Sequence, residues 1–296
     1  MQLCSPLTPK DFADYFALRW QVLRAPWQQP PGSEQDELEA KSWHLMVRDG
    51  EQILAAGRLH QSAPGVGQIR YMAVAPGQQG KGLGARILAG LEALADSLGL
   101  DSVELNAREG ALAFYQKAGY QLLGPAHTLY GVIPHFKMAK AMASTQRAWA
   151  KELTDTWHQT IPLSRFMDLR VAAFNGEQLF TRGDFQANSN LHGSLFAGSH
   201  YALATLTAWG RVWWQLKTLG LEGDIVLAKG EISYKRPLTQ APLMLSQPVE
   251  DWHGLEALKS GRKARVKVDA LVTEAGQAAP ASLFNGHFAV LPKKDA

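Results

Sequence analysis

The sequence predicts an α+β protein of two domains, and three observations carry this prediction. The chain has 296 residues, enough for two domains that each bury a core. The first half alternates short helix and strand patterns, whereas the second half sets one long apolar helix among segments that all have strand patterns. We therefore predict one α+β domain over residues 1–143 and a second over residues 144–296.

Composition excludes several classes of protein. Hydrophobic residues make up 46% and charged residues 19% of the chain, which is ordinary for a globular protein. The single cysteine, Cys4, allows no intramolecular disulfide and fits a reducing compartment. We see no signal peptide, and no stretch approaches the roughly 18–20 apolar residues of a membrane span. We expect a cytoplasmic protein without a metal site.

The net charge of +3 is too small for a dedicated nucleic-acid binder. The densest basic run is KSGRKARVK, residues 259–267. Such a run suits a phosphate-bearing cofactor or an acidic protein partner. A solvated strand face explains the run equally well.

The first half begins with a helix signal. Thr8 is a predicted N-cap, Pro9 fits the first helical position, and Asp11 completes a capping box for a helix that reaches about Leu23. Strand patterns lie on both sides of Asp49-Gly50, which indicates a hairpin. The segment QIRYMAVAP is a further predicted strand.

The rest of this half continues the alternation. Apolar residues at helical spacing predict a helix from Arg86 to Leu98, and Gly99 stops it. SVELNA is a predicted strand. A second helix is predicted over residues 109–118, ended by Gly119.

The second half is dominated by one helix. After a helix over residues 145–158 and a β-rich segment, a long helix is predicted from Ala197 to about Leu219. Only strand patterns follow it. One long helix wrapped by antiparallel strands is the hot-dog arrangement. Such a sheet usually has to pair with the sheet of a second copy of the chain to be covered. We therefore expect a homodimer.

The segment VAPGQQGKGLGARIL joins a predicted strand to a helix start. Glycines 80, 82 and 84 allow a tight turn, and the first helical N–H groups suit a pyrophosphate. Gly80-x-Gly82-x-x-Ala85, with Glu104 downstream, also matches a dinucleotide fingerprint. That match is weak for two reasons. Residues 75–79 separate the end of the predicted strand from Gly80, the first glycine of the fingerprint, and the sequence contains only one βαβ unit. A glycine loop that merely closes a turn is the plainest alternative.

Two motifs of the first half resemble the GNAT superfamily of N-acyltransferases. They are Gln79-x-x-Gly82-x-Gly84 and FYQKAGY, residues 114–120. The resemblance implies that coenzyme A or acetyl-CoA binds at Val74, Gln79, Gly80, Gly82 and Gly84. It also implies that Tyr115 protonates the departing CoA thiolate.

The sequence departs from that family in its candidate acid–base residues. Arg108 stands where these enzymes often carry Asn, and Glu104, His60 and Glu109 are equally possible general bases. The resemblance therefore predicts an acyl-CoA-binding fold, while transfer to an amine and mere sensing of CoA species both stay open.

The segment NSNLHGSLFAGS, residues 188–199, resembles the turn of hot-dog thioesterases, Asn-x-x-Gly-x-x-His-Gly-Gly before a helix that carries an acid. On that pattern Asn190 takes the Asn and Phe196 the His. Ala197 and Gly198 replace the glycine pair, and Thr205 stands where the acid belongs.

The missing acid favours one chemistry over another. Hydrolysis of a thioester needs a carboxylate to activate water or to attack directly. Decarboxylation of a malonyl thioester needs no base, because the developing enolate is stabilised by fixed donors such as an Asn amide and helix N–H groups. No cofactor is required for that step.

The turn with its helix, NSNLHGSLFAGSHYALATLTAWG, and the later GRKARVKV resemble the YiiD-type malonyl-acyl carrier protein decarboxylase family, over essentially the whole chain. The resemblance implies conversion of malonyl- to acetyl-acyl carrier protein for fatty acid synthesis. It assigns the critical role to Asn190, with Asn188 as the alternative, although either residue could simply cap the turn.

Other residues of the turn and the basic run have secondary predicted roles. Ser199 and Thr205 are expected to orient substrate, and the predicted substrate contacts are His192, Phe196, Ala197 and Gly198. Arg262, Lys263 and Arg265 are predicted to contact the phosphopantetheine phosphate or acyl carrier protein. Trp209, Trp213 and Trp214 are expected in the core or the dimer contact. The alternatives are a thioesterase on acyl-CoA or acyl carrier protein, an N-acetyltransferase, and an acyl-thioester sensor.

Overall fold

The computed structural model describes residues 1–274, 277 and 279–293. The chain divides into two compact units, Met1–Arg147 and a second that begins at Ala148. These are called unit 1 and unit 2 below. The domain division after residue 143 stays a prediction.

Unit 1 is built on a seven-stranded sheet in the order β1-β2-β3-β4-β5-β7-β6. Its strands are β1 (Gln2–Cys4), β2 (Trp43–Asp49), β3 (Gln52–Ala63), β4 (Val66–Val74), β5 (Ser102–Arg108), β6 (Gln121–Leu129) and β7 (Ile133–Ala141). Its helices are α1 (Pro9–Leu23), α2 (Leu83–Ser97) and α3 (Leu112–Lys117). The β4–β5 pair is parallel and every other pair is antiparallel.

Several local signals of unit 1 are confirmed. The backbone N–H of Asp11 donates to Thr8 Oγ1 at 3.0 Å, and the N–H of Thr8 donates to Asp11 Oδ2 at 3.0 Å. These two bonds form the predicted capping box. β2 and β3 form the predicted hairpin. Helix α2 starts at Leu83, three residues before the predicted start, and β6 and β7 had no counterpart in the prediction.

A buried ion cluster holds the segment between α1 and β2. Arg58 is fully buried and donates to Asp36 Oδ1 and Glu39 Oε1, both at 2.6 Å. Arg19, also fully buried, donates to both oxygens of Glu39 and to the carbonyl of Glu34. Because buried charges need partners, this cluster fixes the segment over the sheet.

Unit 2 wraps a six-stranded antiparallel sheet around one helix, in the order β10-β13-β12-β11-β9-β8. The strands are β8 (Arg170–Phe174), β9 (Leu179–Arg182), β10 (Asp224–Tyr234), β11 (Pro242–Ser246), β12 (Ala264–Glu274) and β13 (Ser282–Leu291). The helices are α4 (Thr145–Thr160), α5 (Pro162–Phe166) and α6 (Ala197–Leu219). This is the predicted hot-dog arrangement, and α6 has the predicted bounds.

Helix α6 lies in the middle of the unit 2 core. Trp214 is fully buried, and Trp209 donates through its indole N–H to the carbonyl of Ile225 at 3.0 Å. A Cβ added at Gly210 would lie 2.5 Å from the Trp157 ring, so α4 packs closely on α6 at a position where the sequence has glycine. The prediction that the tryptophans pack in the core is therefore confirmed for Trp214.

Candidate functional site

A cleft opens in unit 1 where two parallel strands separate. β4 and β5 pair only from Val66–Ser102 to Ile69–Leu105, although β4 continues to Val74 and β5 to Arg108. The cleft has a volume of about 1170 Å³. Beyond the last paired residues, the facing backbone groups of both strands are open to a ligand.

The glycine loop closes one end of this cleft. Gly80 and Gly82 have φ values of +78° and +80°, the left-handed region that favours glycine. Helix α2 begins directly after Gly82, and among the described residues no acceptor bonds the N–H groups of Leu83, Gly84 and Ala85. These three donors form an anion site at a helix start.

The predicted cofactor residues lie together. The five residues predicted to bind CoA in unit 1, and the predicted acid Tyr115, all line this cleft; the five are Val74, Gln79, Gly80, Gly82 and Gly84. Tyr115 is buried on α3, and burial raises the pKa of its hydroxyl to about 12. At neutral pH that hydroxyl keeps its proton and can donate it to a thiolate.

The predicted general bases lie elsewhere. Among the described residues, the lining of the cleft does not include Glu104, His60 or Glu109. Glu104 instead pairs with Lys137 at 2.7 Å and accepts from the Ser62 hydroxyl.

The structure places two histidines at the cleft that sequence reasoning missed. His127 and His135 stack with ring centroids 4.7 Å apart. His135 Nδ1 donates to the carbonyl of Ile133 at 3.0 Å, so its Nε2 carries the lone pair. Burial lowers the pKa of His135; the hydrogen bond to Ile133 opposes this shift, and the charges of Arg108 and Arg24 add to it. His135 is therefore a neutral proton acceptor at neutral pH.

In unit 2 the turn before α6 holds its two asparagines differently. Asn188 is buried, and its Nδ2 donates to the carbonyls of Met167 at 3.0 Å and Asp184 at 2.6 Å. Asn190 is half-buried, and its Oδ1 accepts from the backbone N–H groups of His192 at 2.9 Å and Ser194 at 3.3 Å.

These contacts fix the orientation of the Asn190 amide. Two backbone N–H groups bond one amide atom and the Ser194 hydroxyl lies 3.3 Å from it, so this atom is the oxygen and the other is the Nδ2 donor. One Nδ2 bond goes to Ser194 Oγ at 3.2 Å, and the second N–H has no acceptor among the described residues. Asn190 thus both closes the turn and keeps a donor.

Helix α6 starts seven residues after Asn190 and has further open donors. Its N-cap, Phe196, supplies no side-chain cap, and no acceptor among the described residues bonds the N–H groups of Ala197, Gly198 and Ser199. The Phe196 ring is 54% exposed and folds over Gly198, where an added Cβ would overlap it. His192 is exposed in the turn.

The acid position of the thioesterase pattern is polar but uncharged. Thr205 lies eight residues into α6, roughly 12 Å along the axis from Ala197. Its Oγ1 is buried without a hydrogen-bond partner among the described residues. None of the 23 residues of α6 is Asp or Glu.

Sequence reasoning also missed a buried pair beneath the helix start. His200 Nδ1 and Ser282 Oγ are 2.8 Å apart, and both residues are buried. Burial, with the charge of Arg236, lowers the pKa of His200 to about 4, so the ring is neutral at neutral pH. No local pattern indicates this pair, because 82 residues separate its members.

The basic run forms part of the outer sheet face. Lys263, Arg265 and Lys267 line a shallow hollow of about 400 Å³ together with His287. Arg262 instead donates to Ser260 Oγ at 3.0 Å. The hollow faces away from α6, because the alternate residues of β12 are the buried ones.

Comparison with protein families identifies both units. Residues 12–120 match the family described as "Acetyltransferase (GNAT) family", and residues 150–292 match the one described as "Putative thioesterase (yiiD_Cterm)". The chain belongs to the GNAT family through unit 1 and has the YiiD-type architecture, with a thioesterase-like hot-dog domain after it. The resemblance and the α+β fold class predicted from the sequence are confirmed, and the two domains indicate a function on acyl thioesters.

Each of the similar proteins below matches less than half of this chain. The protein named "Uncharacterized N-acetyltransferase YjcF" of Bacillus subtilis (strain 168) is 35% identical over 127 residues, 43% of this chain and 90% of that protein. The "Uncharacterized protein YyaT" of the same organism is 30% identical over 110 residues, 37% of this chain and 73% of that protein.

A solved structure described as a "putative thioesterase from Shewanella oneidensis" is 37% identical, with a TM-score of 0.46. The match covers 49% of this chain and 99% of that one. Within the described residues, we find no helix that combines the length and apolar character of a membrane span.

Proposed function

We propose that unit 2 decarboxylates malonyl-acyl carrier protein to acetyl-acyl carrier protein, supplying a primer for fatty acid synthesis. The observation that carries this proposal is a set of open donors beside a helix without carboxylates. Asn190 Nδ2 and the first N–H groups of α6 can stabilise a developing oxyanion. Among the described residues, α6 offers no carboxylate to activate a water molecule.

The chemistry balances with these groups alone. The bond between the malonyl carboxylate and its α-carbon breaks, carbon dioxide leaves, and the electron pair moves into the thioester carbonyl as an enolate. The donors hold that oxygen, and the α-carbon then takes a proton from water to give the acetyl thioester. No cofactor enters this step.

One experiment separates this reaction from its rivals. The purified full-length protein is incubated with malonyl-acyl carrier protein, and the intact mass of the carrier is followed. Loss of one carbon dioxide supports decarboxylation, and release of the free pantetheine thiol supports a thioesterase. Saturable binding without a mass change supports a sensor and contradicts the proposal.

The carrier protein is proposed to dock on the outer sheet face. Acyl carrier proteins are acidic, and the hollow at Lys263, Arg265, Lys267 and His287 is basic. Lys267 is partly neutralised by Asp269 at 3.0 Å, which leaves Lys263 and Arg265 as the main contacts.

The long edge strand of unit 2 supports the proposed homodimer. β10 has 11 residues, lies at the sheet edge and exposes Val226 by 47% and Tyr234 by 52%. Edge strands of this length invite pairing with another strand unless they are protected. We propose that two copies pair through β10.

Substitution of Ala228 tests this pairing. Ala228 lies at the irregularity between Leu227 and Lys229 and has no Cα partner on β13. Ala228→Pro should therefore preserve the sheet of the protomer while removing an N–H from the edge. We expect a monomeric mass by light scattering, against a dimer for wild type and for Ala228→Val. A dimeric Ala228→Pro protein would contradict pairing through β10.

A second function is proposed for unit 1, the transfer of an acyl group from acyl-CoA to an amine. The observation that favours it is a protonated, buried Tyr115 in the same cleft as the glycine loop and a neutral His135. The amine nitrogen attacks the thioester carbon, the C–S bond breaks, and an amide and CoA form. His135 Nε2 accepts the amine proton, and Tyr115 donates its proton to the CoA thiolate.

Tyr115→Phe tests this role. Removing the hydroxyl should lower kcat for acyl transfer by about 10²-fold or more, the range of a general acid, with KM for acetyl-CoA little changed. The matched control is Tyr120→Phe, because Tyr120 is also buried, with its ring 5.8 Å from that of Tyr115, but does not line the cleft. Equal losses in both variants would show that only packing is affected.

A further inference from the structure

Arg108 ends β5 at the cleft of unit 1, and its guanidinium is half-buried but unpaired. Arginine carries five N–H donors and no acceptor. Among the described residues, no carboxylate or carbonyl accepts a bond from Arg108, and its side chain lines the cleft. A half-buried cation that lines a cleft and has no partner among the described residues is suited to an anionic ligand.

The neighbours of Arg108 form a row across three strands. Arg108 on β5 lies directly opposite His135 on β7 in the antiparallel register. Residues so paired have Cβ atoms about 4.5–5.5 Å apart on one face of the sheet. His127 of β6 stacks on His135, and all three side chains line the cleft.

A second guanidinium lies at the same end of the cleft. Arg24 follows α1 and donates from Nε to the carbonyl of Ser33 at 2.8 Å and from Nη1 to that of Leu23 at 3.3 Å. These bonds hold its position, and its Nη2 has no acceptor among the described residues. Burial lowers the pKa of Arg108, and the like charge of Arg24 lowers it further.

The carboxylates near the cleft are already paired. Glu92 is the one acidic residue among the described lining residues, and it accepts from Lys140 Nζ at 2.7 Å. Asp36, behind the lining, is bonded to Arg58 and to Arg70. A cationic acceptor would therefore meet the guanidinium groups of Arg24 and Arg108, with that of Arg70 paired to Asp36, and no free carboxylate among the described lining residues.

We propose that the acceptor amine of unit 1 carries an anionic group, a carboxylate or a phosphate, bound by Arg108 and Arg24. This inference rests on the acyl transfer proposed above. Planar guanidinium groups bind both kinds of oxyanion with paired N–H bonds. The anionic group holds the molecule while its amine faces His135 and the thioester. Polyamines and other polycations are not expected to be acceptors, because the guanidinium groups of Arg108 and Arg24 repel their positive charges.

The first test measures binding without turnover. Full-length protein is saturated with CoA, so that the glycine loop is occupied, and titrated calorimetrically with inorganic phosphate, with succinate and with 1,4-diaminobutane. We expect binding of one or both anions and none of the diamine. Arg108→Gln should weaken anion binding by about 10- to 100-fold. The control is Lys41→Gln, which removes the same charge at an exposed site outside the cleft and should bind as wild type does.

The second test measures transfer from acetyl-CoA by mass spectrometry of the N-acetyl product. The acceptors are matched pairs that differ only in the anion, namely β-alanine with β-alaninamide, and phosphoethanolamine with ethanolamine. A preference within the first pair identifies a carboxylate, and one within the second a phosphate. Arg108→Gln should reduce that preference to near unity by raising KM for the anionic partner.

The outcomes separate this inference from the acyl transfer on which it rests. Anion binding lost in Arg108→Gln, with no product from any amine, supports the anion site and contradicts acyl transfer. Products formed equally from both members of each pair, without anion binding, support transfer and overturn the inference. Binding of the diamine, or unchanged anion binding in Arg108→Gln, overturns it as well.

Discussion

Asn190→Asp is expected to lower malonyl decarboxylation by about 10²–10³-fold, the cost of losing one oxyanion donor. The substitution keeps the geometry of the turn, because an Asp oxygen can accept from the N–H groups of His192 and Ser194 as Asn190 Oδ1 does. It replaces the Nδ2 donor by a second oxygen. The added negative charge opposes the enolate as well. Rates are measured from the intact mass of the acyl carrier protein.

This variant distinguishes catalysis from turn closure. If Asn190 served only to close the turn, Asp would replace it well, and activity would stay near that of wild type. Ser194→Ala is the matched control, since it removes the Asn190 Nδ2–Ser194 Oγ bond while leaving the amide in place. We expect its thermal stability to fall slightly and its decarboxylation to persist. A fully active Asn190→Asp protein would return Asn188 to consideration.

Arg58→Met should be the most destabilising change in unit 1. Arg58 is fully buried and pairs with Asp36 and Glu39, so its removal takes a guanidinium from two carboxylates and leaves them only Arg70 and Arg19, respectively. Breaking a buried pair in this way costs about 3–5 kcal/mol. Calorimetry should show the melting of unit 1 lowered by roughly 6–20 °C, at about 2–4 °C for each kcal/mol. Arg48→Met, which breaks a partly exposed pair with Asp11, should cost no more than about 1 kcal/mol.

The pH dependence of this effect has a definite sign. Burial alone would raise the pKa of Asp36, but hydrogen bonds from Arg58 and from the N–H of Leu38, with the charges of Arg58 and Arg70, hold it well below its usual range. Its stabilising contribution is therefore present above the unfolded pKa of about 3.9 and is lost as the pH falls further. We expect the stability gap between wild type and Arg58→Met to narrow below about pH 4. A constant gap down to pH 2 would contradict the role assigned to this ion pair.

The features that the sequence predicts correctly are those determined by nearby residues. Helix α6 was bounded correctly because its apolar residues recur at helical spacing and Gly220 takes the left-handed conformation that ends it. The capping box at Thr8 and the glycine loop are likewise written in a few consecutive residues. Such signals survive in any tertiary context that keeps the helix start free.

What the sequence did not predict depends on distant partners. Strand β6 shows almost no alternation, because all nine of its residues are partly or fully exposed, so its pattern resembles a loop. With β6 and β7 unassigned, His127 and His135 could not be placed beside Arg108. The buried Arg58 cluster was missed for a related reason, since charged residues in a sequence normally indicate the surface. The roles of Asn188 and Asn190 stay a proposal, because both side chains take part in the turn.

The contact between Phe196 and Gly198 links the two positions in evolution. The aromatic ring occupies the space that a Cβ at position 198 would need, so a side chain there forces the half-exposed ring to turn away. Substitutions at these sites should therefore be epistatic, with a change at 198 costing less once the ring has been lost. In a sequence lineage, the residue tolerated at 198 is expected to depend on the residue at 196.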